Sequence, residues 1–242
     1  MVGRLLIRGM LAGVLAACLA VGFAEIFGEP QVQHAIAFET AIAAAAGQPP
    51  EPAIVSRAAQ RSIGLLTAGV LYGAAYGGLF SLVFAAVYGR IGRIAPRTLA
   101  ALLAAAGFVA VVLVPGLKYP PNPPSVGEAA TIGLRTAAYF EMVLVSIAAL
   151  TLAVLVSRRT IRRLGAWNAS LLGAAVFIAI VGTVQLALPD INEVPTAFPA
   201  IILWRFRIAA LGMQVVLWGA LGIAFGIAAE RILWPRSYKR RW

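Results

Sequence analysis

The chain is short of charge, of acids above all, and of the side chains that usually build metal or redox centres. Only 12% of its 242 residues are charged, and it contains one cysteine and one histidine. A lone Cys18 excludes an internal disulfide. No CxxC pair or Cys/His cluster is present, which excludes a structural zinc of the usual kind. G-x-x-x-x-G-K-[ST], H-E-x-x-H and G-x-S-x-G are all missing, so neither a phosphate cradle nor a hydrolytic set is visible. We therefore expect no enzyme, no catalytic residues and no bound cofactor. Nine acids stand against 20 Lys and Arg, for a net charge of +11. In a soluble chain that balance would suggest nucleic acid. Here basic residues retained on the cytoplasmic side of a membrane explain it better, and no nucleic-acid partner is expected.

What the chain has is apolar sequence in long runs. Hydrophobic residues make up 61%, and the mean hydropathy is +0.89, against about 45–50% apolar in soluble domains. The runs approach 20 residues, the length that crosses about 30 Å of hydrocarbon as a helix. At the N-terminus, Arg4, Arg8 and the Leu15-Ala16-Ala17-Cys18 box resemble a signal or lipoprotein leader. The run continues through Phe23 and Ala24, past the about 7–15 apolar residues of a leader, and reads as a retained helix.

The pattern predicts an all-α integral membrane protein, one transmembrane domain over residues 1–242 built as a six-helix bundle. The spans fall at 5–27, 63–89, 98–116, 134–157, 168–188 and 207–230, joined by longer loops at 28–62, 117–133 and 189–206. The N-terminus, the connections at 90–97 and 158–167, and the tail together hold fourteen Lys and Arg; the opposite side holds six. Both termini are therefore expected in the cytoplasm and the proline-rich loops outside. Eight acids (Glu25, Glu29, Glu39, Glu51, Glu128, Glu141, Asp190 and Glu193) fall on the external side, and only Glu230 on the other. Acids contribute little to orientation, so this asymmetry has another origin. It makes the external face a mild attractor of cations.

Gly69, Gly73 and Gly77 line one face of the second span, and Gly212, Gly219, Gly222 and Gly226 lie in the sixth. Tight helix packing explains them, and a mobile interface in alternating access would need the same smooth faces. Met10, Met142 and Met213 read as fillers of apolar gaps rather than thioether ligands. Trp204 and Trp234 suit interfacial anchors.

The candidate metal ligands are Glu25, Glu29, His34, Glu39, Glu141 and Glu193. Imidazole and carboxylate suit a borderline divalent ion. His34 alone cannot make a site, so the acids around it, Glu25 and Glu29 first, carry that reading. Glu141 lies within the fourth span and should face inward with a partner, with Arg135, Arg205 or Arg207 available. A structural ion pair explains it equally well. The proline-rich stretch 118–124 is expected to be stiff and extended, bent at Asn122.

RLLIRGMLAGVLA, FGEPQVQHAIAFE, KYPPNPPSVG, INEVPTAFPAIILWRFR and LGMQVVLW, in this order, resemble CbtA, a predicted cobalt transporter subunit, over essentially the whole chain. The resemblance implies a multi-pass protein of the bacterial inner membrane that takes up cobalt for cobalamin synthesis. It also implies a CbtB-like partner, a small single-span protein with a histidine-rich end. No metal residue carries over from the family. The competing function is a non-transporting accessory or assembly subunit that docks a partner protein through its external loops.

Overall fold

A computed structural model describes residues 1–47 and 55–234. Glu51 and the basic tail residues Arg236, Lys239, Arg240 and Arg241 lie outside the described residues. Among the described residues five helices are long and apolar enough to cross a membrane: α1 (Val2–Ala45), α2 (Arg57–Val87), α3 (Pro96–Lys118), α4 (Ala129–Ala187) and α5 (Ala200–Leu233). The described residues contain no strand.

The first span, expected over 5–27, continues as helix to Ala45. A π-helical turn, Ala24–Gly28, directly precedes Glu29 and Pro30. The wider turn accommodates the missing proline N–H, and the alanine-rich stretch beyond propagates the helix. Much of the segment expected as loop 28–62 is therefore helical. Likewise α5 starts at Ala200, with Pro199 as its N-cap, so residues 200–206, expected as loop, are helix.

The chain divides into two compact units. The first comprises residues 1–105, 123–125 and 199–242. Its α1 and α2 meet backbone to backbone: a Cβ at Gly13 would fall 2.0 Å from the Gly73 carbonyl oxygen, and one at Gly77 would fall 2.0 Å from that of Gly9. Gly9 and Gly13 on α1 are the counterparts of the packing face expected from Gly73 and Gly77. On α5, Phe225 is fully buried, and its ring stands edge-on to Phe80 and Phe84 at 5.4 and 5.0 Å. At the same end, Arg97 pairs with Glu230 at 2.5 Å, and Arg8 donates to the Ala228 carbonyl at 2.9 Å.

The second unit comprises residues 106–122 and 126–198. Residues Ile132–Ala187 run as 56 helical residues interrupted at Gly165, whose φ of 76° and ψ of 166° leave the helical region. An unbroken helix of that length would extend about 84 Å, far beyond about 30 Å of hydrocarbon. The two arms instead meet each other. Met142 and Ala149 share a buried cluster with Val181, and Gly173 lies against Ser157 and Ala153. Positive φ at the fold of this hairpin is natural for glycine and strained for most other residues.

Pro115, in the last turns of α3, removes the amide that would bond the Val111 carbonyl. The Tyr139 hydroxyl donates to that carbonyl at 3.1 Å instead, and Gln185 Nε2 donates to the Val114 carbonyl at 3.0 Å. As at Pro30, a π-helical turn (Phe108–Leu113) lies just before the proline.

Candidate functional site

Four of the six candidate ligands lie in the first unit, along α1. Glu25 sits in the π-helical turn, half-buried, and makes no hydrogen bond or ion pair among the described residues. Glu29 is taken: Arg57 Nη2 donates to both of its oxygens at 2.8 and 2.9 Å, and the Gln33 amide approaches at 3.4 Å. Only 11% of the Glu29 side chain is exposed, which suits a paired carboxylate better than one waiting for an ion. His34 is exposed. Glu39 is also exposed, and accepts from the Ser125 hydroxyl at 3.2 Å.

Helical geometry separates these groups. Successive steps of five residues, from Glu29 to His34 and from His34 to Glu39, each turn the side chain by about 140° around the helix. The sequence crowds them together while the helix spreads them. Among the described residues no three His, Cys, Asp or Glu side chains come together to hold a metal ion.

The other two candidates belong to the second unit. Glu193 accepts from the Glu128 amide at 2.7 Å and faces Arg135 Nε at 3.4 Å. Its hydrogen bonds from Thr131 and Glu128, with the Arg135 charge beside them, hold its carboxyl below the usual range. Arg135 also donates to the Glu128 carbonyl at 2.9 Å. Arg135, offered by sequence as a partner for Glu141, is thus committed to Glu193. Glu141 is exposed, not turned inward as expected, and makes no hydrogen bond or ion pair among the described residues.

Close by, Lys118 pairs with Asp190, and the Tyr119 hydroxyl donates to the Pro189 carbonyl at 2.9 Å. Burial pushes the Tyr119 phenol up; Lys118 opposes this, while Asp190 and Glu141 add to it. The segment after α4 is therefore fastened at two points, Asp190 on Lys118 of the proline-rich stretch and Glu193 on Arg135 in the first turns of α4. Sequence reasoning missed both ties, because the partners lie far apart along the chain and no periodicity links them. The only available signal was opposite charge on the same expected side.

The geometry thus offers two kinds of acid: Glu29 and Glu193 neutralised by arginine, and Glu25 and Glu141 without a partner among the described residues. No curated protein and no solved structure matches the chain. The family model described as "Probable cobalt transporter subunit (CbtA)" matches residues 2–230. With nearly its whole length covered and several helices suited to crossing a membrane, this multi-pass chain belongs to the CbtA family of probable cobalt transporter subunits.

Proposed function

We propose that the protein is the membrane subunit of an uptake system for cobalt or a related divalent cation, supplying cobalamin synthesis across the bacterial inner membrane. The family match over residues 2–230 carries this reading. The chain crosses the membrane six times, with the Gly165 fold dividing α4 into two crossings and both termini in the cytoplasm. The fold at Gly165 and the basic connection at 158–167 support that topology.

External carboxylates collect the ion. Glu25 and Glu141 lead because no cation among the described residues neutralises them. Glu39 and His34 assist, and Glu29 and Glu193 join when Arg57 and Arg135 release them. A small single-span, histidine-rich partner of the CbtB kind supplies the imidazoles that this chain lacks. The test is accumulation of labelled cobalt in cells producing the protein with that partner. Uptake above empty-vector cells is expected, and equal uptake would sink the proposal.

A second reading is favoured by the arginine-held carboxylates and the fastened loop: an accessory subunit whose external face docks a partner without moving metal. Stable co-purification with a membrane enzyme, indifferent to cobalt, is the outcome that reading requires.

A further inference from the structure

Within the first unit, a cavity of about 350 Å³ opens beside the π-helical turn of α1. Phe23, Phe27 and Gln31 form one wall, and Trp204, Arg205 and Ile208 of α5 form the other. The volume lies at the small end of the about 300–1,000 Å³ typical of ligand pockets. It suits a compact polar head better than a long chain.

The wall is built rather than left over. The Phe23 ring occupies the space a side chain at Gly212 would take, since a Cβ there would fall 2.6 Å from Phe23 Cζ. Phe27 lies against Phe23 with ring centroids 4.6 Å apart. The pair forms an aromatic floor one turn below Gln31.

Two polar groups at this cavity lack partners among the described residues, and they are of opposite kind. Gln31 Oε1 is buried and accepts no hydrogen bond. An acceptor shut away from water without a donor costs free energy, so a ligand with a donor is favoured there. Arg205 is exposed and makes neither hydrogen bond nor ion pair among the described residues. Its guanidinium is suited to phosphate oxygens.

The level of the cavity identifies the medium. The apolar run of α1 gives way to acids from Glu25 onward, and Trp204 and Arg205 lie in the first turns of α5. Trp204 is 63% exposed, as expected of a side chain at the headgroup level of a bilayer.

We propose that this cavity binds the head of a membrane glycerophospholipid carrying both a phosphate and a hydrogen-bond donor. Arg205 takes the phosphate, Gln31 Oε1 accepts from the headgroup hydroxyl or ammonium, and the Phe23–Phe27 floor supports the glycerol. The acyl chains run down the exposed apolar surface beside Ile208. Phosphatidylglycerol and phosphatidylethanolamine have the required chemistry. Phosphatidylcholine, which has no donor, does not.

The experiment is native mass spectrometry of the detergent-purified protein titrated with each of these three lipids and, separately, with water-soluble glycerophosphoglycerol. One retained phosphatidylglycerol or phosphatidylethanolamine is expected, with phosphatidylcholine held about tenfold more weakly. Arg205→Gln should weaken retention about tenfold, the scale of a lost charge-assisted hydrogen bond. Arg61→Gln, an exposed cation elsewhere on the same unit, should change nothing. Gln31→Leu should keep a bound lipid but erase the preference over phosphatidylcholine. Equal retention of all three lipids by the unaltered protein would overturn the proposal. So would an Arg205→Gln protein that binds like Arg61→Gln, or soluble glycerophosphoglycerol binding as tightly as the lipid.

Discussion

Arg57 grips Glu29 through a single nitrogen, 2.8 and 2.9 Å from the two carboxylate oxygens, and so fastens the start of α2 to the middle of α1. The pair joins residues 28 apart in sequence across the undescribed connection at 48–54. Because 40% of the arginine side chain remains exposed, solvent screens the attraction, and its worth is about 1 kcal/mol at most. Glu29→Gln and Arg57→Gln should each lower thermal stability slightly. The double substitution should be no worse than either alone, because both remove the same contact. Additive losses in a detergent melting series would show the two residues to be uncoupled.

At Gly13 the crossing of α1 and α2 leaves no room for a side chain. Gly13→Leu forces the helices apart at a point where a Cβ alone would meet the Gly73 carbonyl oxygen at 2.0 Å, and should cost on the order of 3 kcal/mol. Gly22→Ala, where nothing lies within 4 Å, is the matched control and should be silent. Fluorescence-detected size exclusion distinguishes them: the first variant should lose its monodisperse peak and the second should keep it.

Tyr139→Phe leaves the Val111 carbonyl, already deprived of its amide by Pro115, without a donor. In a membrane helix such a loss costs about 1 kcal/mol. Gln185→Leu should cost less, because the Val114 carbonyl opens a regular helical turn and keeps its backbone donor. A melting temperature unchanged in Tyr139→Phe would mean that the π-helical turn satisfies the Val111 carbonyl by other means.

The tie at Glu193 should depend on pH in one direction. Its carboxyl titrates below the usual range in the folded protein. The stabilisation is therefore fully present above the ordinary carboxylate pKa and is lost as pH falls through the lowered value. Hydrogen exchange at the Glu128 amide, which donates to Glu193, should accelerate on acidification beyond the intrinsic change. In Glu193→Gln that extra dependence should vanish.

For transport, the unpartnered acids are the informative ones. Replacing Glu25 and Glu141 together with glutamine should reduce labelled cobalt uptake several-fold at unchanged membrane abundance. Glu193→Gln should do less, because Arg135 already neutralises that carboxylate. Undiminished uptake in the double variant would remove these acids from the ion's route.

Hydrophobic run length, the +11 charge and the motifs between FGEPQVQHAIAFE and LGMQVVLW were enough to determine an all-helical membrane chain and its family. These properties are local: about 20 apolar residues must span hydrocarbon as helix wherever they occur. The glycines on α2 could be read as a packing face for the same reason, since a period of four residues marks one side of a helix. Sequence could not show that Pro30 sits within a continuous helix, because the π-helical turn that absorbs it leaves no compositional mark. Nor could it sort the acids. Glu29 and Glu193 look like Glu25 and Glu141 in sequence. Only the tertiary structure brings Arg57 and Arg135 to the first two and, among the described residues, no cation to the others, because a charge is neutralised by what lies near it in space and not by what lies near it in the chain.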